Sequence, residues 1–300
     1  MEPQAESRYE RFAKVCREAA ARGSLSPEHL ARLAEESAPE VLAGVIANPF
    51  APIELAEHLV QRADATIAKL ALEEESLPLG VALKFAEHRS WYVRAAAAQF
   101  RGAPAELLHL LALDPDEDVR LAVAGNPTAS AVLLVDLAHD PCDEVRHAVV
   151  RNVSTPMKAI RHLADDEDLT IRRWIALNRK LPADLFEKLR RDEHDAVRCS
   201  LAANRNLTDS QLQRLSRDAS DRVRSAVAHR LADAELLTNL SRDRALSVRL
   251  AVFQNGKAPA DIRDKLEIEL GTREKQIAAF KKEIFRDLWG SDADVPDDQD

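Results

Sequence analysis

Between residues 104 and 123 the apolar positions group themselves twice. In PAELLHLLAL (104–113), Leu108 and Leu111 mark one side of a short helix. After the acidic link DPDED, Val119, Ala122 and Val123 follow at i, i+3 and i+4, the spacing of a second helix buried on one face. The pair then recurs. The second half, DEDVRLAVAGNP (116–127), is echoed by DEVRHAVVRN (143–152), LTIRRWIALN (169–178), DAVRCSLAAN (195–204), DRVRSAVAHR (221–230) and LSVRLAVFQN (246–255).

The recurrence has a fixed period. Arg94, Arg120, Arg146, Arg172, Arg198, Arg224 and Arg249 are separated by five steps of 26 and one of 25. Six residues before six of these arginines stand Asp114, Asp140, Asp166, Asp192, Asp218 and Asp243. Six residues after five of them stand Asn126, Asn152, Asn178, Asn204 and Asn255, and Pro104, Pro156, Pro182 and Pro259 stand ten after. Counting backward, Asn48, Pro52 and Pro78 keep the frame although their arginines are gone. The frame accounts for about ten copies between residues 13 and 270. Neither helix of a unit can bury its apolar side alone, so successive units must stack.

The punctuation is consistent with this reading. Proline suits the first turn of a helix, where its missing N–H has no partner. The acidic link supplies N-caps for the second helix. Asparagine tolerates the left-handed conformation beyond a helix C-terminus and is expected to end the unit there.

The pattern of Asp five residues before a Val-Arg pair, small residues after it, and Asn-Pro at the end of the unit resembles the leucine-rich repeat variant, a relative of HEAT-type repeats. The resemblance implies an all-α, right-handed α-solenoid of about ten 26-residue two-helix repeats. In that family a thin helix, partly 3₁₀, alternates with an α-helix. Some members carry a cysteine-ligated iron–sulfur cluster. Here Cys16, Cys142 and Cys199 lie far apart with no CxxC, so neither cofactor nor metal is expected. The chain divides into an N-terminal segment 1–12, a solenoid 13–270, a capping helix 271–289 built on Ile277, Phe280, Ile284 and Leu288, and an acidic tail 290–300 expected to be disordered.

Seven arginines in register look like a phosphate-binding stripe, but an aspartate accompanies nearly every one. Asp114, Arg120, Asp140, Arg146, Asp166, Arg172, Asp192 and Arg198 are therefore expected to form a structural ladder, each arginine bonding within its unit or to its neighbour. Asn126, Asn152, Asn178 and Asn204 are expected to bond local backbone.

Function is then expected where the repeat is broken. Two residues after the arginine stand Ala96, Ala122, Ala148, Ser200, Ala226 and Ala251, but one unit has Trp174. An indole does not fit a methyl-sized gap in a close-packed stack. Either the stack adjusts around it or the ring projects. Arg172, Arg173, Arg179 and Lys180 surround it in sequence. Trp91 and Tyr92 replace the usual acidic pair and are expected to fill a joint between decayed and regular units. The slots one and five after the arginine are expected to face solvent on the second helix, lining the concave side of a HEAT-type stack. Trp174, Arg173, Arg179, His147, Arg151, Arg205, Trp91 and Tyr92 are the candidate partner-binding residues, with His147 and His229 expected as solvated singles.

Composition narrows the classes. The chain is 46% apolar but 4% aromatic, with 8 glycines in 300 residues, which favours helix. No stretch approaches 18 apolar residues and no signal-peptide core opens the chain, so a cytoplasmic protein with no membrane partner is expected. Net charge is −9, but residues 171–256 carry 17 basic against 11 acidic residues, net +6. No phosphate loop, GxSxG, HExxH or dinucleotide fingerprint occurs, and no catalytic residue is assigned. The expected function is a non-enzymatic scaffold binding another protein or an acidic peptide. A DNA-binding or glycosylase-like repair role for 171–256 stands second, disfavoured by the acidic total.

Overall fold

A computed structural model describes residues 25–35, 38–74 and 77–271. All regular structure among them is helical. The N-terminal segment, residues 13–24 of the first repeat copy, the capping helix beyond Gly271 and the acidic tail lie outside the described residues. The chain forms two compact units, residues 1–171 and 172–300, divided within the helix Leu169–Ala176.

In the first unit the long helices Pro39–Ile46, Ala65–Glu73, Trp91–Gln99, Glu117–Gly125 and Asp143–Arg151 pack in a row, each against the next. In the second, Asp195–Ala203, Asp221–Ala228 and Leu246–Gln254 do the same. Shorter helices, such as Ala105–Leu111 and Ala131–Leu137, form a second layer against them. The predicted faces meet between the layers: Leu108, Leu111, Val119 and Val123 are buried, with Ala122 at 7% exposure. The shorter elements are α-helices of about two turns, and among the described residues the 3₁₀ turn is Phe85–Glu87.

The proline slot is the N-cap rather than the first turn. Pro104, Pro156 and Pro182 precede their helices, and the carbonyl of each accepts an N–H from the first turn, as when Leu108 N–H bonds Pro104 O at 3.1 Å. The same slot elsewhere holds side chains that cap. Ser130 accepts from Leu133 N–H, Asp233 from Leu236 N–H, and Thr208 forms a capping box with Gln211.

The arginine ladder runs between repeats. Arg120 Nε and Nη2 fork onto Asp140 at 2.7 and 3.0 Å, twenty residues ahead. Its remaining nitrogen, Nη1, donates to the carbonyls of Asp114 and Pro115 behind it. Arg94–Asp114, Arg146–Asp166, Arg172–Asp192, Arg198–Asp218 and Arg224–Asp243 repeat the pairing. Each aspartate is shared. Asp140 Oδ1 also accepts Cys142 N–H at 3.0 Å and so shapes the link before the next helix.

The ladder's ends follow from its chemistry. Position 68 holds Ala68, so no arginine needs a carboxylate at 88, and buried His88 stands there instead. Its Nδ1 accepts Ser90 N–H at 3.0 Å, the loop bond an aspartate makes elsewhere, and its Nε2 reaches Gln61 O at 3.2 Å. At the other end Arg249 meets Glu269, which takes Nη2 at 3.1 Å and leaves the buried Nε without a partner.

The asparagines act differently from expectation. Asn126 has φ −71° and ψ 122°, extended rather than left-handed, and Asn152, Asn204 and Asn255 match it. The Oδ1 of Asn126 does bond local backbone, accepting Thr128 N–H at 2.8 Å. Its Nδ2, however, reaches the preceding repeat and donates to Ala98 O and Phe100 O at 2.7 and 2.8 Å. Asn152 donates likewise to Ala124 and Asn126, and Asn204 to Ala176 and Asn178. Asn178 keeps the local bond, its Oδ1 accepting Lys180 N–H. Where the asparagine is lost, Arg230 donates to Ala202 O in its place. A side chain straddling two repeats must leave the helical path to do so, which accounts for the extended backbone.

Candidate binding surface

Buried frame positions hold the stack together, so the outer face of the long helices is where side chains vary. The slot five after the arginine is exposed throughout: Gln99, Gly125, Arg151, Leu177, Ala203, His229 and Gln254. The slot one after it is mixed. Arg173 and Leu250 are exposed, but Leu121, His147, Cys199 and Ser225 are half-buried. His147 in particular is not a solvated single. Its Nε2 lies 3.0 Å from Asp168 Oδ2 in the next repeat. Burial alone would raise the Asp168 carboxyl, but bonds from His147 and Thr170 outweigh it and hold the group below its usual range.

In the 172–300 unit, Trp174 is 43% exposed, while Ser200 and Ala251 in the equivalent slot are 8% and 1% exposed. The indole therefore projects rather than entering the core. Leu177, one turn on, is 42% exposed. Arg173 stands beside them, its Nε 3.3 Å from Ser200 Oγ. Arg179 and Arg205 occupy the same place in successive loops and both are exposed, as is Lys180. None of these four cations forms an ion pair among the described residues. Arg205 adds to the burial that pulls the Arg230 guanidinium below its ordinary range. The arrangement is an apolar pair, Trp174 and Leu177, flanked by uncompensated positive charge.

The 1–171 unit carries the other candidates. Arg151 is exposed at the end of its helix. Trp91 and Tyr92 stack with ring centroids 3.5 Å apart. Tyr92 is 62% exposed and so does not fill a joint, while Trp91 is half-buried. Trp91 instead forms part of a cleft of about 390 Å³ with Ala95, Gln99, Asp118, Leu121, Ala122, Gly125 and Ala148. The sequence signal for this cleft was Gly125, the one glycine in a column otherwise filled by side chains.

Cys142, Asp143 and Glu144 bring potential ligand atoms within 4.8 Å of one another at the surface. Burial and the bond to Glu144 push the Cys142 thiol above its ordinary range, which disfavours the thiolate that a soft metal requires. No helix among the described residues is long and apolar enough to cross a membrane.

No protein-family model matches the chain, and no curated protein does. Among solved structures it is similar to a leucine-rich repeat variant described as having a novel repetitive protein structural motif. The match has a TM-score of 0.51 at 23% identity, covering 73% of this chain and 87% of the other. At that identity the likeness shows the fold, an all-α repeat solenoid, and nothing of its partners.

Proposed function

We propose that the chain is a non-enzymatic binding scaffold that captures an acidic segment of another protein on the long-helix face around Trp174. The observation that carries this reading is the half-exposed indole in a slot where other repeats of its unit hold a small residue. An indole that stands this far out of the core offers a large apolar contact area, and Trp and Arg are both residue types enriched at interface hot spots. The uncompensated Arg173, Arg179, Lys180 and Arg205 select negative charge and steer its approach.

An acidic decapeptide with a central Leu-Phe pair, titrated into the full chain, tests the reading. Saturable binding is expected, weakened about tenfold or more by Trp174→Ala and by Arg173→Glu, with the helical circular dichroism signal intact. Mixed-sequence duplex DNA is titrated in parallel. Binding of DNA with a steep salt slope and no binding of the peptide would assign the face to nucleic acid instead. Loss of helical signal in Trp174→Ala would make the ring a core residue and end the proposal.

A further inference from the structure

We propose that the long-helix face of the 1–171 unit binds an arginine side chain of a partner peptide in the cleft between Trp91 and Asp118. The cleft is open because three successive helices present small residues to it. Ala95, Ala122 and Ala148 line it, and Gly125 adds no side chain to it. Gly125 has no backbone reason to be glycine. A Cβ added there meets nothing within 4 Å, and its φ lies outside the positive range that excludes side chains. The same column elsewhere carries Gln99, Arg151, Leu177 and His229. What the glycine provides is room.

The lining defines the occupant. Its lining includes the Trp91 indole, one face of which stacks on Tyr92; an indole attracts a cation and stacks well on a planar guanidinium. The lining also includes a carboxylate with an unmet need. Asp118 is exposed, its backbone N–H bonds Asp116, and its side chain forms no ion pair among the described residues. The surroundings have the same sign. Residues 91–170 hold 7 basic and 13 acidic residues. Three of each are consumed in the pairs Arg94–Asp114, Arg120–Asp140 and Arg146–Asp166, leaving 4 against 10 outside the ladder. A flat, delocalised cation with an apolar stem satisfies the indole, the alanine lining and the carboxylate together. An ammonium satisfies only the last and part of the first.

This site is independent of the acidic-segment surface around Trp174, and its ligand has the opposite charge. The test uses the full chain with Trp174→Phe and Trp289→Phe, so that Trp91 is the sole indole reporting. Acetylated tetra-arginine amide is titrated by calorimetry and by Trp91 emission, with tetra-lysine and tetra-aspartate amides alongside. Tetra-arginine is expected to bind saturably, to change Trp91 emission, and to exceed tetra-lysine several-fold in affinity. Gly125→Leu, which fills the cleft, and Asp118→Asn, which removes only charge, should each weaken it about tenfold. Asp118 is exposed, so its variant keeps the proposal testable even if Gly125→Leu perturbs the helix. Equal affinity for arginine and lysine with no effect of Gly125→Leu would mean diffuse surface attraction and overturn the site. So would the absence of binding, or binding that leaves Trp91 emission unchanged.

Discussion

Arg120 holds the carboxylate of Asp140, twenty residues ahead in the next repeat, and behind it donates to the backbone carbonyls of Asp114 and Pro115. The pair is nearly dry, with side chains 14% and 4% exposed. A buried ion pair of this kind is weak evidence of net stability, because desolvation offsets most of the attraction, but breaking it is expensive. Its larger consequence is register, since a seam of Leu, Val and Ala tolerates slippage whereas a buried guanidinium is satisfied in one alignment only.

Removing one partner of that pair should therefore cost far more than removing both. Asp140→Ala is expected to destabilise the first unit by about 3 kcal/mol, measured as a shift of the urea midpoint. Asp140→Asn keeps the bond to Cys142 N–H and should cost less. The double variant Arg120→Met/Asp140→Leu should be closer to the parent than Asp140→Ala alone; strict additivity would show that the pair is not coupled.

Asn126 tests the second ladder. Its buried amide makes two bonds to the preceding repeat, so Asn126→Ala should cost about 2 kcal/mol. Asn126→Asp should be worse at neutral pH, because it turns acceptors toward Ala98 O and Phe100 O. Amide hydrogen exchange should locate the loss at the junction of helices Trp91–Gln99 and Glu117–Gly125.

His88 marks where the arginine ladder begins. His88→Asp restores the repeat's usual residue but buries a carboxylate with no arginine, so it should destabilise by roughly 1–3 kcal/mol. Adding Ala68→Arg should recover part of that loss. A double-mutant cycle with no favourable coupling would show that Arg and Asp columns do not depend on each other.

The pH response follows from Asp243. The bond from Arg224, together with its charge and the Ala245 N–H, holds this carboxyl below its ordinary range despite burial. A folded-state value below the unfolded one means the stabilisation is complete above the ordinary carboxylate range, near pH 4, and is lost as pH falls through the lower folded value. The stability gap between the parent and Asp243→Asn should be constant from about pH 5 to 7 and close as pH drops below about 4. A gap unchanged at pH 2, read by chemical denaturation, would contradict the pairing.

Gly125→Ala offers a simpler measurement. The added methyl meets open space, and alanine is the better helix former. The thermal midpoint should rise, by about 0.5–1 kcal/mol in stability terms. A fall would mean that the position has a conformational need not visible in its surroundings.

The sequence by itself determined the unit length, the two helices per unit and the faces they bury. Leu108, Leu111, Val119 and Val123 follow from local periodicity, because an α-helix turns every 3.6 residues whatever surrounds it. It also determined that Arg and Asp columns exist together. It could not say which aspartate each arginine takes. In a chain of period 26, an offset of six back and one of twenty ahead describe the same two columns, so the pattern is blind to the choice. The direction in which the Asp140 carboxylate faces decides it. The same degeneracy hid the reach of Asn126 to Ala98 and Phe100, and the meeting of His147 with Asp168. Only the tertiary structure, which places residues 20 to 28 apart side by side, resolved those partners and opened the cleft beside Gly125.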